Sequence, residues 1–174
     1  MNELFECNLE EEKGTDLSKL ESGNLPLEDY VAAHKNMIVP CHDIFIQYNG
    51  GILLVRRDNQ PMRDTIWPIG GRIQRGVKTE DSLRLKVKQE TRLDITDITF
   101  LGSARIFMHT EPFGHGKGTD NTAFVFFAVG NGNLKLDNLH KDPMIVMPSE
   151  YPRLRPELHP YVKKFMDGAI KLVK

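Results

Sequence analysis

Residues 67–93 read WPIGGRIQRGVKTEDSLRLKVKQETRL, a cluster of backbone breakers running straight into a helical pattern. Pro68, Gly70, Gly71 and Gly76 are too closely spaced for one regular element, and with Pro61 they make residues 57–79 a long loop by expectation. From Thr79 the character changes. Thr79 suits an N-cap, Glu80 and Asp81 sit where the positive end of a helix dipole falls, and Leu83, Val87 and Thr91 recur on one face, so a helix to about Leu93 is predicted. Arg72 directly follows the glycine pair, poised over any bound anion. Between Arg56 and Lys78 there are six basic side chains against Asp58 and Asp64, a local excess that suits a diphosphate.

Upstream, CHDIFIQY alternates polar and apolar residues, Asn49-Gly50-Gly51 tolerates positive φ, and ILLVR resumes the apolar run, which together predict a β-hairpin. Before it, LPLEDYVAAHKNM places Leu27, Tyr30, Val31 and His34 at helical intervals behind Pro26. Residues 1–26 are polar and aperiodic and read as an N-terminal extension to one domain over residues 27–174. Downstream, ITFLGSARIFMH and NTAFVFFAVG read as strands separated by the glycine-rich Phe113 to Gly118. Asn131-Gly132 then turns into a further strand, LKLD, and Met144 to Met147 form another. PELHPYVKKFMDGAIKLVK repeats apolar residues at Leu158, Val162, Phe165, Met166, Ala169, Ile170 and Val173, an amphipathic closing helix. This order predicts α/β (α+β) architecture with a mixed sheet covered on both faces.

Composition bounds the function. The 174 residues allow one domain plus an extension, and 40% hydrophobic with 27% charged residues is an ordinary globular mixture. A formal net charge of −1 provides no global field for nucleic acid or an anionic membrane, so any polyanion must be recognised locally. Two cysteines, Cys7 and Cys41, an acidic start from Met1 to Glu12, and no apolar run near the ~20 residues that span a bilayer all lead to an expectation of a reduced, cytoplasmic protein.

The segment from Trp67 to Leu93 resembles a Nudix box, the loop and helix with which Nudix hydrolases hold divalent metal against a diphosphate. The box pattern, laid from Gly71, meets Val77 where the first Glu belongs, Leu85 for Arg, Lys86 for Glu, Val87 for the aliphatic residue, Gln89 for Glu, Glu90 for the last Glu and Arg92 for Gly. The box is degenerate, and only Glu90 survives among its carboxylates. The chain is most similar to the GDP-mannose mannosyl hydrolase branch, over roughly residues 26–142, through DYVAAHKNMIVPCHDIFI, ILLVRRDNQP, WPIGGRIQ and GTDNTAF. The resemblance implies a Nudix-like α/β/α sandwich. It also implies a single Mg²⁺, with Mn²⁺ as the alternative ion, held by the Gly70 carbonyl and Glu90. Arg57 and Arg72 would neutralise the diphosphate with Arg56 beside them, Asp43 matches a first-strand Asp, His140 a general base and His109 a substrate-loop histidine. Leu139, Val77 and Val125 depart from that branch, where a ligand Gln, a Glu and a Tyr are found. Dimers are common in the branch, and the extension is available for such a contact.

These residues allow a division of labour in which Arg57, Arg72 and one ion stabilise a departing nucleoside diphosphate while His140 deprotonates water attacking the sugar. Two readings compete with this: a degenerate domain that binds a nucleotide or partner without turnover, and cleavage at phosphorus. The glycines of residues 71–79 and 116–118 lack the Gly-Lys-Ser/Thr end of a phosphate loop. Cys41-His42-Asp43 makes no zinc site, because strand alternation turns His42 away from its neighbours.

Overall fold

The computed structural model describes Leu4, Glu6, Leu20 and residues 25–174. Cys7 and most of the 1–26 extension lie outside the described residues. The first helix, α1, spans Leu27–Asn36 behind Pro26. The expected hairpin follows as β1, Val39–Tyr48, and β2, Gly51–Arg57, paired antiparallel with Tyr48 opposite Gly51. Asn49 and Gly50, at φ 49° and 82°, make the turn.

Period-two alternation along β1 builds both layers of the molecule. Ile44 and Ile46 join Leu53, Val55 and Ile69 in one apolar cluster, while Phe45 joins Ile52, Leu54 and Trp67 in another on the opposite face. The first cluster is covered by α2, Thr79–Thr91, through Leu83 and Val87, both fully buried. The second is covered by α3, Tyr151–Leu154, and α4, Pro160–Ala169, which bury Tyr151, Val162, Phe165, Met166 and Ala169. The described residues thus form an α/β/α sandwich on a mixed sheet, as expected. Its remaining strands are β3, Ile66–Trp67; β4, Ile69–Arg72; β5, Asp94–Met108; β6, Thr119–Asn131; and β7, His140–Val146. The order is β3-β2-β1-β6-β5, with β4 paired to β1 and β7 to β2, and β1 running parallel to β6.

Three local expectations are corrected. The breaker-rich stretch from 57 to 79 is not all loop: Ile66–Trp67 pairs with β2 and Ile69–Arg72 with β1, short strands made by their partners rather than by local propensity. LKLD is not a strand. The Lys135 and Asp137 amides donate instead to the carbonyls of Thr91 and Glu90, filling acceptors that the end of α2 leaves open. The closing helix begins only at Pro160, after a short 3-10 turn over Arg155–Glu157, with His159 accepting from the Tyr161 amide as its cap. No described helix is long and apolar enough to cross a membrane.

Both ends of α2 are closed by side chains and backbone geometry outside the box carboxylates. At its start the Thr79 amide and hydroxyl both donate to the Glu6 carboxylate, at 3.1 and 2.6 Å, so an acidic group from the extension occupies the positive end of the dipole. At its end Arg92 adopts φ 64°, the left-handed conformation that glycine usually supplies after a helix. That geometry accounts for the glycine in the box pattern at this place. A side-chain-bearing residue there costs about 1 kcal/mol, so Arg92→Gly is expected to raise unfolding stability by about that amount. Urea denaturation of the variant and the parent checks it.

Candidate functional site

A cavity of about 380 Å³ lies where β1, β4 and α2 meet, with α1 and the β5–β6 connection as its far wall. The alternation that buries Phe45 on one face also turns Cys41 and Asp43 toward this cavity. His42, on the other face, is bonded to Ser82 of α2 at 2.9 Å. The Cys41-His42-Asp43 triplet therefore splits between two sides of the sheet, as strand geometry requires. Burial lowers His42 to about 4, keeping it neutral, and raises the Cys41 thiol to about 12, leaving it inert as a nucleophile.

From α2, Lys86 and Glu90 enter the cavity one turn apart. Glu90 Oε1 is 3.5 Å from Lys86 Nζ, and Oε2, which has no hydrogen-bond partner among the described residues, faces His140 Nε2 at 4.0 Å. His140 Nδ1 is in turn 2.8 Å from Asp137 Oδ1. Burial pushes Glu90 up to about 7, with the Asp137 charge adding to the rise. Lys86 and a hydrogen bond from the Gly70 backbone pull in the opposite direction and do not prevail.

A second acid, Asp43, accepts the Tyr161 hydroxyl at 2.6 Å and is also bonded by Trp67. Burial raises it to about 6, against the pull of these bonds and of Arg57. The Asp43 carboxylate and burial push the Tyr161 phenol upward, so Tyr161 remains a hydrogen-bond donor. Trp67 stacks on Tyr161 with ring centres 4.9 Å apart, which fixes the phenol in place.

The arginines separate. Arg57 lines the cavity, donating to the Pro61 carbonyl at 2.8 Å and Asn59 Oδ1 at 3.3 Å. Arg56, its neighbour in β2, points elsewhere. It donates to the Asp64 carbonyl at 2.7 Å and pairs with Asp142 at 3.4 Å, outside the cavity. Arg72 lines the cavity and lies 4.5 Å over the Tyr30 ring. His109 is exposed and does not line the cavity. His140 is the first residue of β7, paired with Arg57; it stands behind Glu90 and not among the lining residues.

Sequence reasoning missed the far wall. Tyr30 and His34, on the helical face identified in α1, line the cavity instead of joining a core, and Phe113 packs edge-on to both, at 5.3 and 5.1 Å. The i,i+4 spacing of Tyr30 and His34 was the available signal. Asn121 of β6, whose Oδ1 is buried without a partner among the described residues, was also missed.

Gly70 and Glu90, the donors expected for Mg²⁺, are brought together through the Gly70 backbone bond. They nevertheless do not fit a dedicated divalent site. The one box carboxylate is flanked by an ammonium on one oxygen and an imidazole on the other. An ammonium at 3.5 Å already occupies the electrostatic role of a cation and would repel a second one.

No protein-family model matches the chain. It is 26% identical over 148 residues to the low-salt glycan biosynthesis protein Agl8 of Haloferax volcanii, spanning 83% of this chain and 90% of that protein. Its fold is similar to the MutT Nudix hydrolase of Burkholderia pseudomallei, with TM-score 0.60, 16% identity, and coverage of 80% of this chain and 100% of that one. It is also similar to the Nudix domain of Shewanella oneidensis NrtR, solved with ADP ribose, with TM-score 0.51, 15% identity, and coverage of 74% and 88%. The architecture is the Nudix fold.

Glu90 generates a stability signature. Its native pKa lies above the unfolded value, so the native state binds the extra proton between about 4.5 and 7 and stability falls as pH rises through that window. Ionising Glu90 in place costs on the order of 3 kcal/mol. Glu90→Gln is expected to recover most of this at pH 8 and little at pH 4.5, read from chemical denaturation at the two pH values.

Proposed function

We propose that the chain is a Nudix-type hydrolase acting on a nucleoside diphosphate sugar of the GDP-mannose kind. The observation that carries the reading is one cavity that gathers the cations Arg57, Arg72 and Lys86 around a carboxylate, Glu90, whose pKa of about 7 suits proton transfer at neutral pH. The aromatic wall of Tyr30 and Phe113 offers faces for a base or sugar ring. The likeness to a glycan biosynthesis protein and to a domain solved with ADP ribose supports a sugar-nucleotide substrate.

The residues imply these steps. Arg57 and Arg72 bind the diphosphate, Arg57 being held in place by its bonds to Pro61 and Asn59. Water in the cavity passes a proton to the Glu90 carboxylate as its oxygen bonds to the sugar's anomeric carbon. The bond from that carbon to the diphosphate oxygen breaks, and the two guanidinium groups stabilise the negative charge that departs with the diphosphate. The base is reassigned from His140 to Glu90 because Glu90 lines the cavity and His140 does not. His140, braced by Asp137, is a positioning residue for Glu90. Asp43 is the weaker base, since Tyr161 and Trp67 already engage it.

One observation favours a rival reading, a nucleotide-binding domain without turnover: the Lys86–Glu90 ion pair replaces a carboxylate cluster. Turnover separates the two readings. Nudix hydrolases generally use a divalent metal, so a panel of nucleoside diphosphate sugars is incubated with Mg²⁺, with Mn²⁺ and with EDTA, and free sugar and diphosphate are measured. The expected results are sugar release, a rate that rises as pH passes about 7, loss of turnover in Glu90→Gln, and a kcat/KM roughly 10–100-fold lower in Arg72→Ala. Solvent oxygen-18 should appear on the sugar, whereas label on phosphate would mean cleavage at phosphorus. Intact substrate under every condition would leave only the binding reading.

A further inference from the structure

Lys86 stands where the Nudix pattern supplies a carboxylate, and its side chain lies along the bare backbone of Gly71. A Cβ built on Gly71 would be 3.4 Å from Lys86 Cε, 3.4 Å from Nζ and 3.8 Å from Cδ. The stem of the lysine therefore lies against β4 at van der Waals distance from Gly71. The ammonium at its end is tethered to Glu90 Oε1 at 3.5 Å, and Lys86 is only partly exposed at 26%. A lysine ammonium carries three donors, so one contact to Glu90 leaves others directed to the cavity that Lys86 lines.

The charges around it are informative. Of the two lining carboxylates, Asp43 is engaged by Tyr161 and Trp67, and Glu90 is the partner of Lys86. Arg57 and Arg72 lie on the same cavity, and no ion pair engages either among the described residues. Replacing Glu by Lys at this place moves the local charge by two positive units, the charge a divalent ion would bring. A diphosphate entering between the arginines thus meets a third fixed cation already bridged to Glu90, the link that an ion would otherwise form between carboxylate and phosphate.

From this geometry we infer that Lys86 is a diphosphate-binding residue that takes the place of the divalent ion, so that the site binds a nucleoside diphosphate without metal. The inference rests on the reading of the cavity as a diphosphate site and adds to it the identity of the third cation.

The test is calorimetric titration of the full chain with GDP, in EDTA and in excess Mg²⁺, using the parent, Lys86→Met and Lys86→Glu. Methionine keeps the length and apolar stem of the side chain while removing the charge. Glutamate sets two carboxylates one helical turn apart, the arrangement that suits Mg²⁺. The parent is expected to bind with Kd values within about threefold in the two buffers. Lys86→Met should bind roughly 10–100-fold more weakly in both, as for loss of a charged hydrogen bond. Lys86→Glu should lose binding in EDTA and regain it with Mg²⁺. Parent binding that requires Mg²⁺, or Lys86→Met binding as tightly as the parent in EDTA, overturns the inference while the diphosphate reading stands. Failure of the parent to bind GDP in either buffer overturns both. Circular dichroism of each variant confirms that the comparison is between folded proteins.

Discussion

The absence of a side chain at Gly70 is the constraint on which the cavity depends. A Cβ there would overlap Asp43 Oδ1 and the His42 carbonyl oxygen and would lie 2.8 Å from Asp43 Cα, so β4 could not approach β1 closely enough to pair with it. That pairing sets Asp43 opposite Gly70 and Cys41 opposite Arg72, and it fixes the height at which Arg72 leaves the sheet. It also brings the Gly70 backbone to Glu90 on α2, so strand and helix meet through a main-chain group. The second glycine is not constrained in this way: a Cβ at Gly71 would make only van der Waals contact with the stem of Lys86. A fold built on that close approach tolerates the loss of most of the box carboxylates, because the packing of α2 depends on Leu83 and Val87 and not on them.

Electrostatics at Glu90 is a contest with a visible winner. At 3.5 Å and an effective dielectric constant near 20, attraction to an ammonium is worth about 5 kcal/mol, enough alone to hold a carboxylate well below its usual range. Glu90 instead stands near 7, so removing it from water and placing it close to Asp137 outweighs Lys86. Such a carboxylate is a costly structural element but an apt proton acceptor, ionised in part at neutral pH and facing the cavity. An arriving diphosphate that drew the ammonium toward itself would raise the proton affinity of Glu90 further, coupling substrate binding to base strength.

Much of the architecture was legible because it follows periodicity. The hairpin, α2, β5, β6 and α4 all announce themselves by alternation or helical recurrence, and the sandwich follows from their order. The strands of the breaker-rich stretch did not, because Ile66–Trp67 and Ile69–Arg72 are too short for any period and exist through their partners. LKLD misled for the opposite reason: it has the alternation of a strand, yet its amides are claimed by the carbonyl end of α2. At the site, Gly70, Arg72 and Glu90 were found by likeness to a motif. Lys86 was legible as a positive charge one turn before Glu90, set where a cation would sit or paired with that carboxylate, whereas the place of Tyr30 and His34 in a cavity wall was not, because a cavity wall and a core wall have the same helical spacing.

The neighbouring arginines show how strand geometry settles what composition leaves open. Arg56 and Arg57 are chemically identical, and a one-residue slip of β2 would exchange their roles. That slip is prevented by the apolar residues on either side of the strand: Leu53 and Val55 must face α2, while Ile52 and Leu54 must face α4. Arg57 lines the cavity, whereas Arg56, one residue earlier and on the opposite face of the strand, is directed to Asp64 and Asp142. The pairing of Arg57 with His140 then places the imidazole behind Glu90. The places of Arg57 at the cavity and of His140 behind Glu90 are thus linked through one strand register, that of β2 against β7.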